Sequence, residues 1–210
     1  MKIAIFLFDG VTALDAVGPY ESLSRLPTTE IVFVGKAIGP VRTGNRFLAL
    51  NADRAISDMT DADIVIVPGG LGDGLTAIVS DAETRDWLRD IDRRTIWTCA
   101  VCTGSLVLGA AGLLRGRRGA THWRARNALD QFGAEYCNDR VVFDDKYVTS
   151  AGVSAGLDMG LELCERIAGR ELAEAVELSM QYDPKPPFGT GRFEDATPER
   201  IGLVENTLRK

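Results

Sequence analysis

The residue in this 210-residue chain best placed to do chemistry is Cys102, in the stretch TIWTCAVCTGSLVLGAAGLL at 95–114. A β-rich run passes within a residue of Cys102 into a helix of small residues, so the thiol stands where a strand turns sharply into a helix. That is the arrangement of a nucleophile elbow, in which a tight turn presents a nucleophile beside the first free backbone N–H groups of a helix. Those N–H groups and the helix dipole favour an anion, which predicts a thiol pKa drawn below its ordinary value and an available thiolate. The same donors can hold negative charge that develops on a substrate. The plainer reading is a structural cysteine, since free cysteine is commonly buried. Gly104 and Ser105, which leave room around the sulfur, and a second glycine-rich strand end at Pro68-Gly69-Gly70 favour the reactive reading; Thr103 adds a hydroxyl that can hydrogen-bond in the site and an N–H at the helix start.

Two other segments offer partners. Pro68, Gly69 and Gly70 close another apolar strand, and in an open parallel sheet that end lies on the same carboxyl edge as Cys102. Gly70 is expected to present an unobstructed N–H there. The segment FDGVTALDAVGPYE at 8–21 leaves the first strand on the same edge, and Asp15 within it supplies a carboxyl that can deliver or accept a proton where a thiolate attacks. Alone, Asp15 would read as an ordinary loop acid before Pro19; Glu21 is a weaker competitor. His122, the single histidine, excludes a two-histidine metal site, and no Cys/His/Asp spacing supports a metal. It either touches the site or caps the helix that follows. Cys99 and Cys102 spell C-x-x-C, but Cys99 falls within the strand, where a three-residue offset separates α-carbons by roughly 10 Å, beyond the disulfide limit of about 7 Å.

The elements that must position these residues follow a βαβ pattern. Continuous apolar runs, as in strands covered on both faces, alternate with stretches of helical period, which predicts a mostly parallel sheet in an α/β fold. Strands are expected at 2–8, 30–37, 64–67, 95–101 and 119–122, with hairpins at 39–51 and 141–152. Helices are expected at 19–26, 81–93, 104–114, 123–131, 155–168, 171–180 and 197–208. Pro19 suits a first helical turn, so residues 9–18 read as a loop. The tail from Asp183 begins with the Pro- and Gly-rich DPKPPFGTG and reads as a surface extension, 183–210, of one domain spanning 1–210.

Length suits one compact domain, which runs up to about 250 residues. With 24 Lys and Arg against 30 Asp and Glu, the formal charge is −6, which argues against nucleic-acid binding, where basic surface must replace counterions. The opening MKIAIFLFDG has no small-residue cleavage site and reads as a buried strand, not a signal peptide. No apolar run approaches the ~18 residues of a membrane helix. The four cysteines, 99, 102, 137 and 164, read as free thiols, so a soluble cytoplasmic protein is expected.

Together, FDGVTALDAVGPYE, VPGG, AVCTGSLVLGAAGLL, THW and TSAGVSAGLDMGLEL resemble, in order and over nearly the whole chain, the DJ-1/PfpI (ThiJ) superfamily, and within it are most similar to isonitrile (isocyanide) hydratases. Similar motifs occur in the ligand-sensing halves of AraC-like transcription regulators. The resemblance implies a flavodoxin-like three-layer sandwich with a mostly parallel central sheet, of the class I glutamine amidotransferase-like kind, and a homodimer. It places Cys102 as nucleophile and Asp15 as the acid from the segment after strand one. Many PfpI-type members carry histidine directly after the cysteine; Thr103 fits the hydratase branch instead. Amidotransferases need a downstream histidine and glutamate, and His122 comes too early. The implied reaction converts a small-molecule isonitrile and water to an N-substituted formamide through a Cys102 thioimidate, without metal or organic cofactor. Gly69, Gly70, Gly104 and His122 would line the substrate, and Thr103 would orient water or the carboxyl. The alternatives are a glyoxalase or deglycase, whose usual glutamate is Asp15 here, and a ligand or redox sensor. A DNA-binding regulator would need a helix-turn-helix for which no room is expected before Lys210.

Overall fold

A computed structural model describes residues 1–207, so position 208 of the expected terminal helix lies outside the described residues. The strands are β1 Lys2–Leu7, β2 Glu30–Gly35, β3 Gly39–Arg42, β4 Ala49–Ala52, β5 Arg54–Ala55, β6 Ile64–Val67, β7 Trp97–Val101, β8 Arg118–Gly119, β9 Glu135–Tyr136, β10 Val141–Asp144 and β11 Tyr147–Ser150. The helices are α1 Ala13–Leu23, α2 Gly72–Ser80, α3 Ala82–Asp92, α4 Gly104–Ala110, α5 Arg126–Asp130, α6 Ala155–Ala168, α7 Arg170–Met180 and α8 Pro198–Thr207.

Seven strands form one sheet in the order β10-β11-β7-β6-β1-β2-β5, parallel throughout except for the β10–β11 hairpin. Alternation along each strand sends its residues to opposite faces. Ile3, Ile5 and Leu7 of β1, Ile64 and Ile66 of β6, and Cys99 and Val101 of β7 pack under α1, α6 and α7, with Leu23, Met159 and Leu163. Ala4 and Phe6, Val65 and Val67, and Ala100 face the other layer, with Ile78, Trp87, Leu88, Leu108 and Leu129 from α2 to α5. Both faces are therefore buried, which is why these strands read as unbroken apolar runs. The result is a three-layer α/β sandwich, the expected fold class.

Two elements depart from the sequence reading. Helix α1 begins at Ala13, not near 19, so Asp15 lies in its first turn and Pro19 lies inside it. Pro19 has no N–H to give to the carbonyl one turn back, but the helix continues because its face is packed on α6, with Gly18 of α1 lying close to Leu157. Helix α2 has no counterpart among the expected helices: Gly72, Asp73 and Gly74, which open it, are weak helix formers, and it buries only Ile78. Shorter corrections follow the same logic: α4 ends at Ala110 rather than 114, and the expected helix at 123–131 begins as a 3-10 turn at Trp123–Ala125. The strand expected at 119–122 is the two-residue β8.

Candidate active site

Adjacent strands β7, β6 and β1 end side by side on one edge of the sheet, and that juxtaposition gathers the site. Cys102 follows β7 with φ 57°. A left-handed backbone is uncommon for a side-chain-bearing residue and costs on the order of 1–3 kcal/mol. The elbow is held from several directions: the Cys102 N–H donates to the carbonyls of Ser150 and Ala151, both at 3.1 Å, and its own carbonyl accepts from the Ser105 and Thr121 hydroxyls, both at 3.0 Å. Only 3% of Cys102 is exposed.

Asp15 is fully buried. Its Oδ2 accepts the Gly69 N–H at 3.0 Å, while Oδ1 has no hydrogen-bond partner of ordinary geometry among the described residues; the Cys102 thiol also interacts with this carboxyl. Burial raises the Asp15 pKa to about 7, against the smaller opposing pull of the Gly69 N–H and the thiol. The thiol does not follow the sequence expectation. Burial, and then the Asp15 charge, push Cys102 up to about 12, and the backbone N–H groups of Val153 and Thr103 offset only part of this. Helix α4 has seven residues, and its dipole is outweighed by desolvation. The buried pair therefore holds one proton between its two groups over a wide pH range. When that proton is on Asp15, the sulfur is a thiolate facing a neutral acid and two N–H groups.

The glycines position the site in ways their sequence did not reveal. The Gly70 N–H is not unobstructed: it donates to Thr103 Oγ1 at 2.9 Å, and that hydroxyl donates back to the Gly70 carbonyl at 2.8 Å. Thr103 Oγ1 is thus committed to the backbone of the β6 end, not to water or to Asp15. A Cβ on Gly69 would stand 2.7 Å from both Asp15 Oδ2 and Thr103 N. Gly104 makes no room for a ligand; a Cβ there would lie 2.0 Å from the Val67 carbonyl, so it lets α4 seat against β6. His122 lies at the margin. Its ring nitrogen accepts the Arg124 N–H at 3.3 Å, capping the 3-10 turn, and the ring packs against Gly152. Burial lowers its pKa.

Sequence reasoning missed Val153 and Thr121. Val153 follows β11, the strand beside β7, so the small-residue run TSAGVSAG on the same edge carried the available signal. Among the described residues no group of three or more His, Cys, Asp or Glu side chains could hold a metal ion, and no helix is long and apolar enough to cross a membrane.

Comparison with known proteins gives this geometry a context. An isonitrile hydratase from Pseudomonas putida is 39% identical over 196 residues, covering 93% of this chain and 85% of that protein. The crystal structure of a ThiJ/PfpI family protein from Pseudomonas syringae superposes with a TM-score of 0.93 at 38% identity, covering 97% of this chain and 84% of the other. The HTH-type transcriptional regulator CdhR of Pseudomonas aeruginosa is 34% identical over 69% of this chain, which spans 42% of that regulator's length. The DJ-1/PfpI family profile matches residues 1–166, and with these relatives and this fold the chain belongs to the DJ-1/PfpI family.

Proposed function

We propose that the protein is an isonitrile hydratase in which Cys102 is the nucleophile and Asp15 the proton carrier. The observation that carries this reading is the buried Cys102–Asp15 pair at the elbow, together with 39% identity to an isonitrile hydratase over most of both chains. The thiolate attacks the terminal carbon of the isonitrile, forming the S–C bond, and that carbon takes the proton of Asp15. The product is a neutral thioimidate and a carboxylate. Asp15 then accepts a proton from water as its oxygen attacks the same carbon, and returns it to the substrate nitrogen. Loss of the hydroxyl proton to Asp15 and of the thiolate releases an N-substituted formamide and restores the starting pair. Electrons balance without oxidant or reductant, so the reaction calls for no redox cofactor.

The near-complete burial of Cys102 favours a slim, uncharged terminal atom such as the isonitrile carbon. The Val153 and Thr103 N–H groups steady the sulfur whenever it carries charge, while Thr103 Oγ1, Gly69, Gly70 and Gly104 fix the strand ends. His122 bounds the site beside Gly152. The protein acts in the cytoplasm, in keeping with its four free cysteines. It acts as a homodimer: Phe47 and Leu48, between β3 and β4, are 91% and 48% exposed and offer apolar surface to a second copy. The test is formation of formamide from a simple isonitrile, followed by ultraviolet absorbance, with wild-type protein and Cys102→Ala side by side. Turnover that vanishes in the variant supports the reading; no turnover by reduced wild-type protein overturns it.

A further inference from the structure

The segment that carries the Val153 N–H is strained, and one side chain outside the site brackets it. Val153 has φ 34°, an outlier for a β-branched residue, and such backbone persists only where its surroundings over-determine it. Arg140, the residue before β10, reaches both flanks of Val153. Its carbonyl accepts the Ala151 N–H at 2.9 Å. Its guanidinium donates to Asp158 Oδ2 at 2.5 Å, in the first turn of α6, and to the Ser154 hydroxyl at 3.2 Å. Ser154 is the N-cap of α6 yet makes no side-chain cap, because its hydroxyl is turned to Arg140. Tyr182, beyond α7, completes the cluster by donating its hydroxyl to Asp158 Oδ1 at 2.9 Å. On the other side, the His122 ring packs against Gly152.

We infer that Arg140, through Asp158 and Ser154, is a positioning residue for the reaction, holding the 151–154 turn so that the Val153 N–H stays aimed at the Cys102 sulfur. The inference rests on reading Cys102 as the nucleophile. A forked guanidinium suits the task because it engages two acceptors in fixed geometry, whereas an ammonium is a single mobile point of charge. Loosening the turn weakens an N–H contact to a charged sulfur, an effect of about tenfold on the thiolate population.

The experiment is the pH dependence of Cys102 alkylation by iodoacetamide, read by mass spectrometry of its peptide in the reduced full chain. Wild type is compared with Arg140→Ala, Arg140→Lys and Asp158→Asn, and kcat and KM for an isonitrile are measured in parallel. The expected result is an alkylation rate near and above neutrality about tenfold lower in Arg140→Ala, with Arg140→Lys intermediate, on a profile that still rises near pH 7 as the pair loses its first proton. The fall in turnover should lie in kcat and not in KM. Alkylation needs no isonitrile turnover, so a lowered alkylation rate supports the positioning role even where the hydratase reading fails. Should Arg140→Ala not fold, Arg140→Lys and Asp158→Asn carry the comparison. Variants that alkylate at the wild-type rate near neutrality, whether or not they melt earlier, overturn the inference.

Discussion

Replacing Asp15 by Asn should stabilise the protein while abolishing its turnover, and the stabilisation should grow with pH. Ordinarily the carboxyl titrates near 3.8, and in the folded site near 7. Below the lower value both folded and unfolded chains hold the proton. As pH rises between the two values, the unfolded chain loses a proton that the folded chain keeps, so stability falls. Above about 7 the folded protein carries the full cost of the buried carboxylate, roughly 4 kcal/mol at about 1.4 kcal/mol per pH unit. Asparagine has nearly the same shape, stays neutral, and can accept the Gly69 N–H through its carbonyl oxygen. The gain in unfolding free energy should therefore be about 3 kcal/mol larger at about pH 8.5 than at about pH 4.5, measured by urea denaturation of both proteins at each pH. Turnover of an isonitrile should be lost, since the amide has no proton of suitable acidity to give to carbon. Parallel stability curves for the two proteins would refute the buried, proton-sharing carboxyl. Full turnover by the variant would remove Asp15 from the chemistry.

Three further outcomes follow from the same geometry. Isonitrile turnover in the wild-type protein should rise as pH passes about 7, where the pair loses the first of its two protons, and a rate that falls through that point would contradict thiolate attack. Thr103→Val should cost about 1–3 kcal/mol of unfolding free energy by orphaning buried Gly70 groups, while Thr103→Ser stays close to wild type; thermal denaturation separates them. Gly104→Ala should lose about 3 kcal/mol or more in the same assay because its new Cβ meets backbone, not a movable side chain. The control Gly202→Ala, with open space around its Cβ, should be neutral or gain up to about 1 kcal/mol.

What was legible in the sequence is what depends on local pattern. β6 at Ile64–Val67, the helices Ala155–Ala168 and Arg170–Met180, and the hairpins β3–β4 and β10–β11 follow from apolar runs, helical period and turn residues. The elbow at Cys102 was legible because strand and helix meet there with no intervening loop. Less legible was anything set by packing across the chain. Helix α1 runs through Pro19 because α6 covers it; its start carries the Thr12-x-x-Asp15 pattern of a capping box, but Thr12 makes no side-chain cap and Pro19 points to a later start. The thiol's titration was misjudged because a local helix start argues for a lowered pKa, whereas desolvation by the layers above β7 is a tertiary effect. Gly70 was misjudged for a related reason: a glycine shows where backbone can be approached, but not that Thr103, 33 residues on, has already taken its N–H.

Position 103 shows how this site divides its work. One atom, Thr103 Oγ1, accepts the Gly70 N–H and donates to the Gly70 carbonyl, tying the end of β6 to the residue after the nucleophile. A histidine there, as in many PfpI-type proteins, could not do both through a single atom, since each ring nitrogen of a neutral imidazole is either donor or acceptor. It would offer a base beside the sulfur at the expense of that tie. Here the tie is kept, and on the proposed mechanism proton transfer falls to a carboxyl from a different strand end, whose burial raises its pKa to about 7. A group poised near 7 can both give a proton to carbon and take one from water at ordinary pH, which hydration of an isonitrile requires of one residue in turn. An imidazole at position 103 could also carry a proton near neutrality, but only by giving up the tie to Gly70, so on the proposed mechanism threonine at 103 and the buried carboxyl at 15 divide the work: one holds the strand ends and the other moves the proton.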